Sequence, residues 1–169
     1  GDRRGDLWPS VAEAPQAPHH PWVAWSRFDG RGYTLVWSRW NATGWTHPEW
    51  VHTPHRDGGR ALDPDIEFDS GNRPMMVWWR QTGGHGTVYI SLYRDSRWTE
   101  PVRVSPLNLN ARHPSLFISA QGAVYVKYKT RLGTIVQPIR LDGSRSITDD
   151  INPQGHAAGD VTTSEQAGG

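Results

Sequence analysis

Leu62-Asp-Pro-Asp-Ile66, Met76-Val-Trp-Trp-Arg80, Thr87-Val-Tyr-Ile-Ser91 and Trp98-Thr-Glu-Pro101 follow one another in the middle of the chain. Most of these runs are rich in the β-branched and aromatic residues that suit a pleated surface. Turn formers punctuate them, Ser70-Gly71-Asn72 and then Gly83-Gly84. The same four runs stand upstream as Leu7-Trp-Pro-Ser-Val11, Trp22-Val-Ala-Trp-Ser26, Thr34-Leu-Val-Trp-Ser38 and Trp45-Thr-His-Pro48. Downstream they return as Arg112-His-Pro-Ser-Leu116, Val124-Tyr-Val-Lys-Tyr128 and Gly133-Thr-Ile-Val-Gln137. Pro9 precedes Pro64 by 55 residues, Val23 precedes Val77 by 54, and Ser38 and Trp45 precede Ser91 and Trp98 by 53. Pro64 to Pro114 is 50 and Val77 to Val126 is 49, which sets Trp25 beside Trp79 and Tyr128.

Four turn-bounded strands recurring every ~50 residues are the signature of propeller blades. The runs are apolar on both faces, as in the continuous Met76-Val77-Trp78-Trp79. A blade requires that, because its neighbours cover both sides, whereas a half-exposed sheet alternates. The expected fold is all-β, with four-stranded antiparallel blades at about 7–52, 62–105 and 112–151 inside a propeller segment spanning 1–151. The alternative is a β-sandwich, which needs no repeating motif. Residues 152–169 read as a flexible tail, or as a strand donated through Asp160-Val-Thr-Thr163.

Composition agrees. The 169 residues include 18 Gly and 13 Pro, and the longest stretches free of both are Thr87–Glu100 and Tyr33–Thr43. Neither carries an apolar stripe at helical spacing. Lys+Arg number 18 against 17 Asp+Glu, so a net charge of +1 argues against a nucleic-acid groove. With no cysteine there is no disulfide, Cys-zinc or thiol chemistry. No apolar run approaches the ~20 residues of a membrane span.

The hairpins Ser38-Arg-Trp-Asn-Ala-Thr-Gly-Trp45 and Ser91-Leu-Tyr-Arg-Asp-Ser-Arg-Trp98 both place Ser seven residues before Trp. They resemble the Asp-box (BNR-type) hairpin of sialidase-like propellers, Ser-x-Asp-x-Gly-x-Thr-Trp. Trp40 and Tyr93 stand at the motif's Asp, Ala42 and Asp95 at its Gly, and Gln137 at the Ser of the third unit. The resemblance implies a sialidase-like or lectin-like propeller. It also implies what a sialidase would need, an arginine triad, a Tyr–Glu nucleophile pair and an acidic proton donor. The family's Arg-Ile-Pro motif is absent, and of five glutamates, Glu49, Glu67 and Glu100 fall in or beside strands. No catalytic residue is assigned.

Binding residues are sought where the scaffold varies. The residue before each first-strand proline is Trp8, Asp63 and then His113, at a position that opens the innermost strand near the axial mouth. Asp65 and Arg112 join that set. Ten tryptophans offer flat faces for sugar stacking. Those recurring in the repeat (Trp45 with Trp98, Trp25 with Trp79) are expected in the core. Trp8, Trp22, Trp40 and Trp50 do not recur as Trp and are the stacking candidates. His52-Thr-Pro-His55 with Asp57 is a weak metal-binding candidate that lacks a third fixed ligand. Asn41-Ala-Thr43 is a glycosylation sequon at a hairpin tip.

The expectation is a non-catalytic module, secreted, periplasmic or on the cell surface, without cofactor. It would recognise a glycan or a protein surface. Three blades do not close a ring of the usual ~4–8, so self-association, a partner subunit or more chain would shield the open faces. The alternative is a fragment of a sialidase-like glycoside hydrolase.

Overall fold

The computed structural model describes residues 5–51 and 59–140. His52, His55, Asp57, the ends of the first and third expected blades, and the 152–169 tail lie outside the described residues. Within them every regular element is a β-strand. No helix there is long and apolar enough to cross a membrane.

Strands β1 (Asp6–Glu13), β2 (Pro21–Phe28), β3 (Tyr33–Arg39) and β4 (Glu49–Trp50) form a first antiparallel sheet in sequence order. A second contains β5 (Arg60–Phe68), β6 (Pro74–Thr82), β7 (His85–Arg94) and β8 (Arg97–Trp98), with β9 (Val102–Arg103) also on β7. A third holds β10 (Arg112–Ile118), β11 (Val124–Thr130) and β12 (Gly133–Ile139). Local chemistry sets the turns. Thr82 pairs with His85 across Gly83 and Gly84, both at positive φ, the two-residue connection whose twist suits a hairpin. Between β2 and β3, the Asp29 carboxylate accepts the Arg31 and Gly32 N–H groups at 2.8 and 3.0 Å. Those bonds hold its pKa below the usual carboxylate value.

Two cores lie between the three sheets. Trp22, Ala24, Leu35 and Trp37 of the first sheet meet Ile66, Met76, Trp78 and Trp98 of the second. Leu62, Met75, Val77, Trp79, Val88 and Ile90 on the other side of the second sheet meet Leu116, Val126 and Tyr128 of the third. The middle sheet is therefore covered twice, which is why β6 is buried from Pro74 through Arg80 and reads as an unbroken apolar run as far as Trp79. The innermost strands β1, β5 and β10 are successive neighbours. This is the blade arrangement that the repeat predicts.

Strand register corrects the alignment of the repeat by one residue. Val23 faces Ser38 as Met76 faces Ser91 and Val126 faces Gln137. Val23 is thus equivalent to Met76, not Val77, and the recurring aromatics are Trp25, Trp78 and Tyr128. Trp79 corresponds to Ser26 and Lys129 and is not a scaffold repeat. The slip matters because each one-residue shift exchanges the two faces of a strand. Two expectations about tryptophan also fail, independently of the register. Trp22, expected at the surface, is in the core, stacked on Trp37 at 4.6 Å between ring centroids. Trp45, expected in the core with Trp98, is 49% exposed against 8% for Trp98. Trp98 lies on the face that the first sheet covers, and no described sheet covers the matching face of the first.

That outer face carries Val11, Val23, Trp25, Val36 and Trp50 in register. Trp25 and Val36 are buried at its centre, while Val11 is 62% and Trp50 45% exposed. The opposite end of the stack is different. The outer face of the third sheet carries Ser115, Phe117, Tyr125, Lys127, Lys129, Thr134 and Val136, a mixed polar surface.

The two Asp-box-like hairpins share their bonds. Ser38 Oγ donates to the Thr46 carbonyl and Ser91 Oγ to that of Thr99, both at 2.7 Å. The backbone N–H groups of Arg39 and Leu92 reach the same threonine hydroxyls at 3.1 Å. Ala42 and Asp95, at the motif's glycine, keep a left-handed backbone with φ of 72° and 49°.

Candidate binding site

The start of each innermost strand carries the same irregularity. Pairing shifts between Leu7 and Ser10, Leu62 and Asp65, and Arg112 and Ser115. Two residues there oppose one, and the one is each time the recurring aromatic, Trp25, Trp78 or Tyr128. The second bulged residue is proline, which has no N–H to lose from the ladder. The first is left-handed: Trp8 at φ 50°, Asp63 at 55° and His113 at 50°. Asp and His tolerate this region, but a bulky Trp there costs of order ~1 kcal/mol or more. The backbone is thus repeated at three neighbouring points while the side chain on it changes.

Asp63 and His113 meet. The imidazole Nδ1 is 2.8 Å from Asp63 Oδ2, although 50 residues separate the two. Beneath them lies Trp79, with its ring centroid 6.0 Å from that of His113. Arg112 spreads over the same indole at 5.5 Å. Its Nη2 donates to the Gly84 carbonyl at 3.0 Å and its Nε to Asn110 Oδ1 at 3.2 Å. Asn110 Oδ1 also accepts the Gly86 N–H at 2.8 Å, so the arginine is held by the β6–β7 turn of the preceding sheet. Gly86 must be glycine, because a Cβ there would strike the Ala111 carbonyl. A cleft of about 300 Å³ opens alongside, lined by Asn110, Arg112, His113, Lys129, Thr130 and Arg131.

Asp65 lies just inside this rim and is occupied by the scaffold. Its Oδ1 accepts Ser10 Oγ and its Oδ2 the Leu116 N–H, both at 2.8 Å, so one carboxylate links all three sheets. Ser10 serves the same purpose in the preceding sheet, its Oγ accepting the Ile66 N–H at 3.2 Å. Burial raises the Asp65 pKa, and these bonds offset only some of that shift. Glu67, two residues on, is raised as well, first by burial and then by the Asp65 charge.

The structure therefore brings Asp63, Arg112 and His113 together, with Asp65 below, and puts Trp8, 45% exposed, on the adjacent bulge. It does not bring Trp40 or Trp50 to them. Trp40 lies beyond β3 beside Pro21, at the opposite end of the first sheet, edge-on to Trp45 at 5.8 Å. Trp50 is on β4, the far edge of that sheet. Trp79, Asn110, Lys129 and Arg131 were not singled out from sequence. A correct register would have found Trp79, as the one tryptophan of β6 with no counterpart. Among the described residues no three His, Asp or Glu side chains gather as a metal site.

No protein-family model matches the sequence, and no curated protein matches it. Solved structures do. An endo-arabinase from Bacteroides thetaiotaomicron superposes with a TM-score of 0.57 at 15% identity, over 83% of this chain and 58% of that one. The Hadza microbial sialidase Hz136 gives 0.58 at 11%, over 83% and 36%. An exo-β-1,3-galactanase from Clostridium thermocellum gives 0.56 at 10%, over 82% and 35%. These similarities concern the fold, and the chain spans 58% or less of the length of each.

Proposed function

We propose that the chain is a non-catalytic glycan-binding module of a propeller, working outside the cytoplasm, with its ligand at the rim formed by Trp8, Asp63 and His113. One observation carries this reading: three neighbouring bulges hold three different side chains, an indole, a carboxylate and an imidazole, on one repeated strained backbone. Flat aromatic faces and paired polar groups are what a pyranose requires, stacking for its C–H face and hydrogen bonds for its hydroxyls. That the solved structures similar to it are an arabinase, a galactanase and a sialidase agrees with a glycan ligand. In the same reading the outer face of the first sheet is covered by a further blade, from a second copy or a neighbouring subunit.

Binding to an immobilised glycan array is the test. Trp8→Ala and Asp63→Ala should each lower affinity about tenfold or more, the loss of one stacking or charged hydrogen-bond contact, with an unchanged circular dichroism spectrum. A blank array would refute the reading. Turnover of a fluorogenic sialoside, arabinoside or galactoside would replace it with that of a hydrolase fragment.

A further inference from the structure

We infer that the cleft beside His113 binds the anionic group of an acidic polysaccharide, a sulfate ester or a carboxylate; this deepens the glycan-binding reading and rests on it. The lining supplies the guanidinium groups of Arg112 and Arg131, the Lys129 ammonium and the His113 imidazole, with Asn110 and Thr130 as neutral partners and no carboxylate. Arg112 is fixed in advance by Gly84, Asn110 and Trp79, so little side-chain freedom is lost when it takes an oxyanion. Lys129 and Arg131 have no ion-pair partner among the described residues. His113 is the exception in the cluster, its Nδ1 already on Asp63.

Two further observations set this cleft apart from a generally basic surface. Arg112 and Lys129 are register partners across β10 and β11, so two cations from neighbouring strands reach the same cleft. Lysine occurs in this chain only at 127 and 129, on the same face of β11. The equivalent positions are Ala24 and Ser26 in the first sheet and Val77 and Trp79 in the second, so the scaffold does not call for lysine there. Lys127 lies outside the lining, and its charge acts instead on Asp65. A cleft of about 300 Å³ suits a charged sugar unit better than a nucleic-acid strand, which needs a longer cationic track with stacking platforms.

The experiment titrates the whole chain with neutral oligosaccharides and with their sulfated and uronate-containing counterparts, beside single-stranded DNA. The acidic glycans should bind more tightly than the neutral ones, and more weakly as salt rises. The exposed-residue variants Lys129→Ala and Arg131→Ala should each weaken the acidic glycans by about fivefold to tenfold, and the neutral ones by less than about twofold. Whichever of the sulfated and uronate series responds more to these variants identifies the oxyanion. Equal binding of neutral and acidic glycans, insensitive to both variants, would overturn this inference and leave the glycan-binding reading standing. DNA binding as tight as the best acidic glycan would overturn it too. Silence from every glycan would end both.

Discussion

Asp65 has no oxygen to spare. One accepts Ser10, the other the backbone of Leu116, and the carboxylate is desolvated enough that its pKa is raised. Replacing it with alanine leaves the Leu116 N–H and the Ser10 hydroxyl without their acceptor, and should cost about 1–3 kcal/mol in denaturant unfolding. The pH dependence has a definite sign. A carboxyl whose folded pKa exceeds its unfolded value of about 3.9 binds its proton more readily in the native state. Its contribution to stability is thus complete below the unfolded value and is lost as pH rises through the folded one. On acidification across that window, wild type should gain stability relative to Asp65→Asn, measured by chemical denaturation at a series of pH values. A gap between the two that stays constant, or moves the other way, would contradict this account. Position 65 was readable from sequence as a rim residue, because it follows the repeated proline. Its use as a strut was not, since both partners are more than 50 residues away.

Trp45 and Trp98 end equivalent hairpins and share a sequence position, yet only one is enclosed. Trp98→Ala should destabilise by about 3–5 kcal/mol, the range for removing a large buried aromatic. Trp45→Ala should cost well under that, about 1 kcal/mol or less. Thermal unfolding of both variants makes the comparison directly, and equal losses would show that the outer face of the first sheet is covered. The strands, their turns and the threefold repetition were legible because glycine, proline and β-branched residues leave few alternatives. Which residue matches which was less so. Matching Val23 to Val77 by identity is off by one, and only the Ser38, Ser91 and Gln137 register exposes the error. The slip hid Trp79 among scaffold residues, although it lies beneath Arg112 and His113. Neither alignment shows which end of the stack is covered, because Trp45 and Trp98 hold the same position in equivalent hairpins and differ in the sheet packed over them.

The two ends of the stacked sheets are chemically unlike. The first presents Val11 and Trp50 around buried Trp25 and Val36, on the face by which the second and third sheets dock to their predecessors. The third presents Lys127, Lys129 and Thr134 where the second has Val77, Trp79 and Val88. Association in solution should accordingly proceed through the first sheet. Sedimentation equilibrium should give a mass above that of one chain, and Val11→Asp combined with Trp50→Ser should return it to one. A wild-type chain that sediments alone would remove the second copy from the proposed function and leave the neighbouring subunit as the cover. The bond that joins the sheets has a polarity of its own. Ser10 and Asp65 offer the acceptor, and the sheet that follows supplies the N–H, from Ile66 and then Leu116. Each unit is thus a hook on one side and an eye on the other. Such an array lengthens by copying whole units head to tail, and a unit inserted backwards would leave two hooks facing with nothing to catch.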